Sequence, residues 1–501
     1  MKLIPSIVLS LFVIFLYGCA NSPGEVESLP DPSLRINPQS EPTPLPEPNE
    51  SSSPSTSAVE EQIKASEGFP FPRMAFGTES RMMDFEGHSD ILGIDKLQLI
   101  RHNGLLWHEI ESIEGVRNWE AATNLEEKLI RASTNNLSTM LIVRGTPEWA
   151  QMVPGSYCGP IKPEKLAAFA QFMIEAVSRY SQAPFNVKIW ELGNEPDVDP
   201  TLVSAKSMFG CWGNQNDPYY GGQYYADMLK TVYPAIKSVD PEATVLIGGL
   251  LLDCDPTRPP EGKDCNPGNF LEGILLNGGG AFFDAVSFHG YAPYFRPNQD
   301  ISNPLFYDDH HPSWEHRGGV VIGKIDFLRE VMSKYNLSKP IYHTEGALLC
   351  TEYNPIDCDP PVDEFYESQA DYLIRMYLRN WGNRIYGTIW FSFEGPGWRY
   401  GSLLDGNQNP KPVYEALKFL LSELVDAELS GNISLDGNLE GYEFTTPEKR
   451  IWVVWSPQEV DTVLMVPGDI QAVYNKFGKD IFQPGMDTLV INEPIYIELY
   501  P

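Results

Sequence analysis

Residues Val187–Pro196, VKIWELGNEP in one-letter code, decide the fold, because they form a buried-strand pattern that runs out into a turn. Branched and aromatic residues favour extended structure in the first half, and Gly193 and Pro196 end it. Asn194 and Glu195 are therefore expected at the C-terminal tip of a strand. A carboxyl group beside an amide that can bind a hydroxyl suits general acid and base chemistry. The alternative for Glu195 is a carboxylate at the start of a helix.

A second strand pattern, PIYHTEG at residues 340–346, ends in the carboxylate of Glu345 and a glycine. Glu195 and Glu345 are far apart in the sequence, so they can meet only if both strands lie in one sheet and point the same way. A (β/α)8 barrel has this geometry, since its active sites lie at the C-terminal ends of parallel strands.

The rest of the chain agrees with an α/β fold, a (β/α)8 TIM barrel over residues 67–426. Eight strands are predicted, at Arg73–Gly77, Leu97–His102, Met140–Gly145, Val187–Gly193, Thr244–Gly249, Phe283–Gly290, Pro340–Glu345 and Tyr386–Phe393. Helical patterns separate them, the first of these over Ser80–Ile94. From Ala427 the pattern changes to short alternating strands, which predict a small β-sandwich-like all-β domain over residues 427–501.

The N-terminal 66 residues have a different composition. An apolar run from Leu3 to Tyr17 follows Lys2 and ends in Gly18-Cys19, which predicts a lipoprotein signal peptide over residues 1–19 and acylation of Cys19. An ordinary cleaved signal peptide is the alternative. Residues 20–66 are rich in Pro, Ser and Glu and predict a disordered tether. The expected location is extracytoplasmic, anchored by lipid at the bacterial cell surface or on the outer face of the membrane.

Charge limits the class of partner. The chain has 68 acidic residues against 36 basic residues, a formal net charge of -32. This excess argues against nucleic acid or an anionic surface as a partner, but it is compatible with a neutral sugar polymer. The expected partner is an oligo- or polysaccharide substrate, with membrane contact through the lipid anchor only.

Six cysteines remain when Cys19 is set aside, an even number in a compartment that is expected to be oxidising. Two pairs are close in sequence, and the third pair follows strands three and four, which are neighbours. The predicted disulfides are Cys158–Cys211, Cys254–Cys265 and Cys350–Cys358. Free buried thiols are the alternative.

The two glutamate stretches resemble those of glycoside hydrolase clan A, whose members are retaining (β/α)8-barrel glycosidases, and the chain is most similar to families 39 and 5. The resemblance implies that Glu195 is the acid/base, that Glu345 is the nucleophile and that Asn194 binds the sugar 2-hydroxyl. It also implies four further site residues: Arg101 beneath the nucleophile, His289 and Tyr291 facing the sugar, and Trp390 as a sugar platform. Arg144-Gly145 departs from the pattern, because relatives often place His or Asp at the end of the third strand.

The resemblance implies a retaining glycoside hydrolase that cleaves β-linked neutral glycans or β-glycosides by double displacement, with a carboxylate separation of about 5–5.5 Å. A transglycosidase on the same site and a non-catalytic carbohydrate-binding lipoprotein are the alternatives. Arg101 could be only a buried ion-pair partner, and His289 only a core histidine. The polar run Asp308–His311 is interpreted as a solvated loop, and the expected chemistry requires no metal and no cofactor.

Overall fold

The structure is a computed structural model that describes residues 73–80, 96–204, 207, 209–295, 313–351, 355–435, 438–483 and 485–501, with backbone only at 355 and 356. The predicted signal peptide with Cys19, the tether, nearly all of the predicted helix over Ser80–Ile94 and the run Asp308–His311 lie outside these residues. Within the described part of the chain, no helix is both long enough and apolar enough to span a membrane.

Eight parallel strands close into a barrel in sequence order, which confirms the predicted fold class. They are β1 (Ala75–Glu79), β2 (Leu99–Leu106), β3 (Ser138–Arg144), β4 (Ile189–Asn194), β5 (Thr244–Leu250), β6 (Ala285–Pro293), β7 (Ile341–Leu349) and β8 (Gly387–Trp390). The last strand, β8, pairs with β1, so the barrel has no free edge.

Helices surround the barrel. They are α1 (Trp107–Ile110), α2 (Thr123–Thr134), α3 (Leu166–Tyr180), α4 (Gly222–Val239), α5 (Phe270–Leu276), α6 (Val320–Lys334), α7 (Pro355–Cys358), α8 (Asp363–Gly382) and α9 (Pro412–Leu424). Short 3₁₀ helices lie at Trp119–Ala122, Glu148–Ala150, Pro163–Lys165, Asn266–Asn269, Gly279–Ala281, Glu315–Arg317 and Trp398–Tyr400. In α3, Phe169, Met173, Ala176 and Tyr180 are buried at helical spacing, so one face of the helix packs on the strands.

The barrel interior changes from apolar to polar along the strands. Its lower layer consists of Leu99, Met140, Leu246, Ala285 and Ile389, which pack together. Side chains two residues apart on a strand point the same way, so the next inward positions include Arg101 on β2 and Ser287 on β6. The apolar layer closes the barrel from below, and the polar layer faces the C-terminal ends of the strands, where (β/α)8 barrels place their sites.

The C-terminal part is all-β, as predicted. Its strands are β9 (Glu428–Asn432), β10 (Glu440–Thr445), β11 (Arg450–Trp455), β12 (Thr462–Met465), β13 (Ile470–Asn475), β14 (Thr488–Ile491) and β15 (Ile495–Leu499). Five of them form an antiparallel sheet in the order β13-β15-β11-β10-β9, and β12 pairs with β14. Phe444 packs on Trp381 of α8 with ring centroids 5.1 Å apart, so the apolar core continues from the barrel into the sheet.

Three disulfides join the predicted pairs, Cys158–Cys211, Cys254–Cys265 and Cys350–Cys358. All six cysteines lie on connections that follow β3, β4, β5 or β7, so the bridges brace loops at the mouth of the barrel. Such bridges are consistent with an extracytoplasmic protein.

Candidate active site

The end of β4 brings two consecutive side chains to the barrel mouth. Gly193 has a φ of 91°, in the left-handed region that favours glycine, and Glu195 has a φ of 53°. This bend breaks the alternation of the strand, so that Asn194 and Glu195 both reach the site. The Glu195 amide donates to the carbonyl of Gly249 at 2.9 Å, and its side chain is buried.

Glu345 lies in the middle of β7, whereas the sequence predicted that the strand would end there. β7 continues to Leu349 because it pairs with β6 as far as Pro293, after an irregularity between Phe288 and His289. The Glu345 carboxylate accepts hydrogen bonds from Arg101 Nη1 and from the hydroxyl of Tyr291. Burial, and after it the charge of Glu345, raises the pKa of Tyr291 well above its usual value, so the phenol remains a donor.

Arg101 is the fully buried centre of the polar layer. Its Nε donates to Glu191 at 2.6 Å and its Nη2 to Asn194 Oδ1 at 2.7 Å, while Nη1 is shared between Glu345 and Glu79. A guanidinium presents its donors in a fixed fork, so these bonds fix the positions of the acceptors relative to one another. Arg101 therefore places the Glu345 carboxylate beside Asn194.

His289 bridges the two glutamates. Its Nδ1 lies 2.8 Å from Glu195 Oε1 and 3.5 Å from Glu345 Oε2. Burial, followed by the positive charges of Arg101 and Lys324, lowers the pKa of His289 well below its usual value, so the imidazole is neutral. A Cβ at Gly249 would lie 2.1 Å from His289 Nε2, so the close approach of the ring requires glycine there.

The Glu195 and Glu345 carboxylates face each other across the mouth. One oxygen of each, together with a ring nitrogen of His289, lies within 4.8 Å of the others. Burial, and then the negative charge of Glu345, raises the pKa of Glu195 well above its usual value. The pair therefore combines a carboxylate bonded to Arg101 with a carboxyl group that holds its proton.

Two acids support the pair from below and from the side. Glu191 is fully buried and accepts from Ser287 at 2.6 Å and from Thr344 at 3.2 Å, in addition to Arg101. Glu79, the last residue of β1, shares Arg101 Nη1 with Glu345. Burial and the charge of Glu345 raise the pKa of Glu79 to about 8, against the opposing effect of Arg101. Sequence reasoning missed Glu79, because the first strand was predicted to end at Gly77.

The aromatic side chains at the mouth differ from the expectation. Trp390 is fully buried, its Nε1 donates to the Gly401 carbonyl at 2.8 Å, and its ring packs against Tyr372 of α8. It therefore faces the helices, and its predicted role as a sugar platform does not fit this position. Phe391, the next residue, faces the other way, and its ring lies 5.8 Å from that of Tyr291. Trp398 contacts Tyr291 at 5.3 Å and is 46% exposed.

Glu195, His289 and Glu345 are also the one group of the described residues whose ligand atoms are near enough to share a metal ion. In the structure these atoms already bond to one another and to Arg101 and Tyr291.

No protein-family model matches the chain, and no curated protein matches it. Solved structures do match the chain. A family 39 glycoside hydrolase from the gut symbiont Bacteroides cellulosilyticus WH2 is similar, with a TM-score of 0.62 and 19% identity over 86% of this chain and 81% of that chain. The catalytic domain of GH30 xylanase C from Talaromyces cellulolyticus has a TM-score of 0.56 and 10% identity over 86% and 98% of the two chains.

A family 51 α-L-arabinofuranosidase from Bifidobacterium longum is a third similar structure, with a TM-score of 0.52 and 13% identity over 86% of this chain and 97% of that chain. At such identities the likeness shows the fold. The fold of this chain is thus the barrel of glycoside hydrolases from families 39, 30 and 51, and its activity has to be argued from its own site.

Proposed function

We propose that the chain is a retaining glycoside hydrolase, with Glu345 as the nucleophile and Glu195 as the acid/base. The observation that carries the proposal is that carboxylate oxygens of Glu195 and Glu345 lie within 4.8 Å of each other. Retaining glycosidases have carboxyl groups about 5–5.5 Å apart, whereas inverting ones leave about 6.5–9.5 Å for a water molecule. The spacing leaves no room for that water.

In the first step, Glu345 attacks the anomeric carbon while Glu195 protonates the leaving oxygen. Arg101 and Tyr291 both donate to Glu345, so they hold its carboxylate in position and stabilise negative charge there. Glu195 keeps its proton because it is buried and because Glu345 is charged. Glu195 thus begins the reaction in the protonation state that its role requires.

In the second step, the ester at Glu345 has no charge, and the repulsion that held the proton on Glu195 is gone. The pKa of Glu195 therefore falls after the first step, and its carboxylate can take a proton from water. Neutral His289, bonded to Glu195, orients that carboxylate in both steps. Asn194, held by Arg101, is placed to bind the sugar 2-hydroxyl.

The proposed substrate is a β-linked neutral glycan or a β-glycoside of the xylose, glucose or mannose type. Phe391 and the exposed Trp398 supply apolar ring surface beside Tyr291, as sugar rings require. The GH30 xylanase named above supports this class by analogy of fold only.

The full chain should be assayed on aryl β-glycosides and β-linked polysaccharides, with the first-formed anomer followed by proton NMR. We expect the β-anomer to appear before mutarotation. A first-formed α-anomer would contradict the assigned roles, and transfer to sugar rather than water would identify a transglycosidase on the same site.

We further propose that the chain is anchored by lipid at Cys19, on the basis of the apolar run that ends in Gly18-Cys19. Cys19→Ser should release the protein from membrane fractions. A substituted chain that stays with the membrane would end this proposal without affecting the catalytic one.

A further inference from the structure

Arg144 ends β3 at the barrel mouth, among the side chains of the proposed site. Met140 on the same strand lies in the apolar layer of the barrel interior. Arg144 comes four residues later on the same strand, so its side chain points to the same side as Met140. It lies two inward-facing positions nearer the barrel mouth. Its Nε donates to the side-chain oxygen of Asn103, which positions the guanidinium. The next strand, β4, leads into Glu195, so Arg144 is a neighbour of the acid/base around the ring.

Arg144 is half-buried, yet within the described residues no carboxylate lies at ion-pair distance from it, and its two Nη nitrogens have no hydrogen-bond partner. Arg317 is also half-buried and Arg375 is fully buried, but both are paired with carboxylates. Arg101 holds three. The side chain of Arg144 has lost part of its solvation, but its Nη nitrogens are not among the fully buried atoms without a partner, so a ligand can reach them. A ligand group that accepts hydrogen bonds would give the Arg144 guanidinium the partner that it lacks.

The surroundings of Arg144 do not supply that partner. His108 lies beside Gly145, and its buried Nδ1 has no partner among the described residues. Burial, and to a lesser extent the charge of Arg144, lowers the pKa of His108, so this ring is neutral. The acids that act on Arg144 from a distance are Glu79, which holds its proton up to about pH 8, and the exposed Glu109.

We propose that Arg144 binds a carboxylate of the glycan, on the sugar unit next to the one that is cleaved. Two free, parallel N–H groups of a guanidinium match a planar carboxylate, which accepts both. The cleaved unit itself lies among Glu195, Glu345 and Asn194, where a further carboxylate would be repelled, so it is neutral. The preferred substrate thus departs from a wholly neutral glycan: it is a β-linked chain in which the cleaved unit is neutral and the unit beside it is a uronic acid or carries a uronic acid side group. This inference rests on the proposed function.

The test compares binding of acidic polymers with binding of their neutral counterparts. The full chain is titrated by calorimetry with 4-O-methylglucuronoxylan and with a β-1,4-glucan partly oxidised at C6, each before and after reduction of its carboxyl groups to alcohols. The proteins are the wild type, Arg144→Gln, Arg144→Lys and Arg258→Gln. The last removes the same charge from an exposed position on the loop after β5 and controls for general attraction.

We expect the wild type to bind at least one acidic polymer about tenfold tighter than its reduced form, equivalent to about 1.4 kcal/mol. Arg144→Gln should bind both forms equally, Arg144→Lys should keep part of the preference, and Arg258→Gln should behave as the wild type. The preference of the wild type should weaken between 50 and 500 mM salt, roughly as screening predicts.

Equal binding of acidic and reduced polymers by the wild type overturns the inference, as does a preference that survives in Arg144→Gln. Hydrolysis of aryl β-glycosides by the wild type is measured in parallel. Hydrolysis without a carboxylate preference would refute only the role of Arg144. A preference without hydrolysis of any glycoside would instead refute the proposed function and leave Arg144 as a carboxylate-binding residue.

Discussion

Among the described residues, two buried cations each contact three acidic side chains, and they lie in different places. Arg101 in the barrel mouth contacts acidic side chains from three strands: Glu79 of β1, Glu191 of β4 and Glu345 of β7. Lys476, just after β13, pairs with carboxylates from α8 and from the turn before β15: Glu367, Asp371 and Glu493. The side chains of both cations are less than 5% exposed.

Both clusters contain an acid with a raised pKa. Burial raises the pKa of Asp371 to about 6 beside Lys476, and burial with the charge of Glu345 raises the pKa of Glu79 to about 8. A perturbed acid therefore does not by itself identify a site. The Arg101 cluster differs because Glu195 faces it across the barrel mouth with no bond to the cation, and because aromatic rings line its edge. The Lys476 cluster joins α8 to the C-terminal all-β part of the chain.

The largest effect that separates the two clusters is expected for Glu345→Gly. Removal of the proposed nucleophile should lower kcat by several orders of magnitude for every leaving group, because no covalent intermediate could then form. Glu367→Gln, which takes one carboxylate from Lys476, is the matched control and should change kcat by less than about twofold. Initial rates on an aryl β-glycoside measure both. A large loss in the control would remove the distinction between a catalytic and a structural cluster.

Glu195→Ala should have a smaller effect that depends on the substrate. Good leaving groups need no proton donor, so aryl glycosides should still form the glycosyl-enzyme and then stall, because no base activates water. Azide can enter the space vacated by the side chain and should give a β-glycosyl azide, detectable by NMR. An α-glycosyl azide would mean that the two glutamates have other roles.

Lys476→Met should affect stability and leave catalysis unchanged. It leaves three acids without their cation, and breaking a buried ion pair costs about 3–5 kcal/mol of unfolding free energy. Because Glu367 and Glu493 are partly exposed, at 53% and 39%, we expect the lower end, about 3 kcal/mol. Denaturant unfolding measures the loss, and kcat/KM at 25 °C should remain within about twofold of the wild type. Unchanged stability would show that the Lys476 cluster does not stabilise the contact between α8 and the C-terminal all-β part.

Glu79→Gln should stabilise the protein in a way that depends on pH. The folded protein holds this proton up to about pH 8, whereas the unfolded chain releases it near the ordinary glutamate pKa of 4.5. The unfolded state therefore binds fewer protons between these values, and Glu79 lowers stability as the pH rises through this window. The variant lacks this penalty, so its Tm should exceed that of the wild type by about 2–4 °C at pH 8 and by little at pH 5. A constant difference across that range would contradict the raised pKa.

Much of this fold was predictable, because each barrel strand is an apolar run between turn signals, and all eight predicted runs overlap an observed strand. The meeting of Glu195 and Glu345 also followed from the sequence, since parallel strands bring their ends to one mouth, whereas the place of Arg101 beside them was implied by the resemblance. Features that depend on pairing between strands far apart in the sequence could not be predicted from the sequence. The extension of β7 past Glu345 exists because β6 is equally long, and nothing within the residues of β7 signals it.

The sequence also does not show which side of an apolar strand points into the barrel. Residues 387–393, GTIWFSF, place aromatic residues at both alternating positions, so alternation alone does not tell which aromatic residue points inward. A shift of one residue exchanges the two faces. The resemblance implies Trp390 as the sugar platform, whereas Phe391 is the residue whose ring contacts Tyr291.

The smallest expected effect tests this reassignment, through Trp398→Ala and Trp390→Phe. Trp398 is exposed beside Tyr291, so its loss should remove one stacking surface for sugar and raise KM by about 3- to 10-fold, as expected for an aromatic contact worth about 0.5–1.5 kcal/mol. kcat should hardly change, because such a contact is the same in the ground state and the transition state. Trp390→Phe loses the hydrogen bond to the Gly401 carbonyl inside the core and should lower Tm while KM stays constant. Steady-state kinetics and thermal unfolding of both variants decide the matter: if Trp390→Phe raises KM at an unchanged Tm, the ring of Trp390 binds substrate after all, and the mouth of the barrel rearranges when sugar enters.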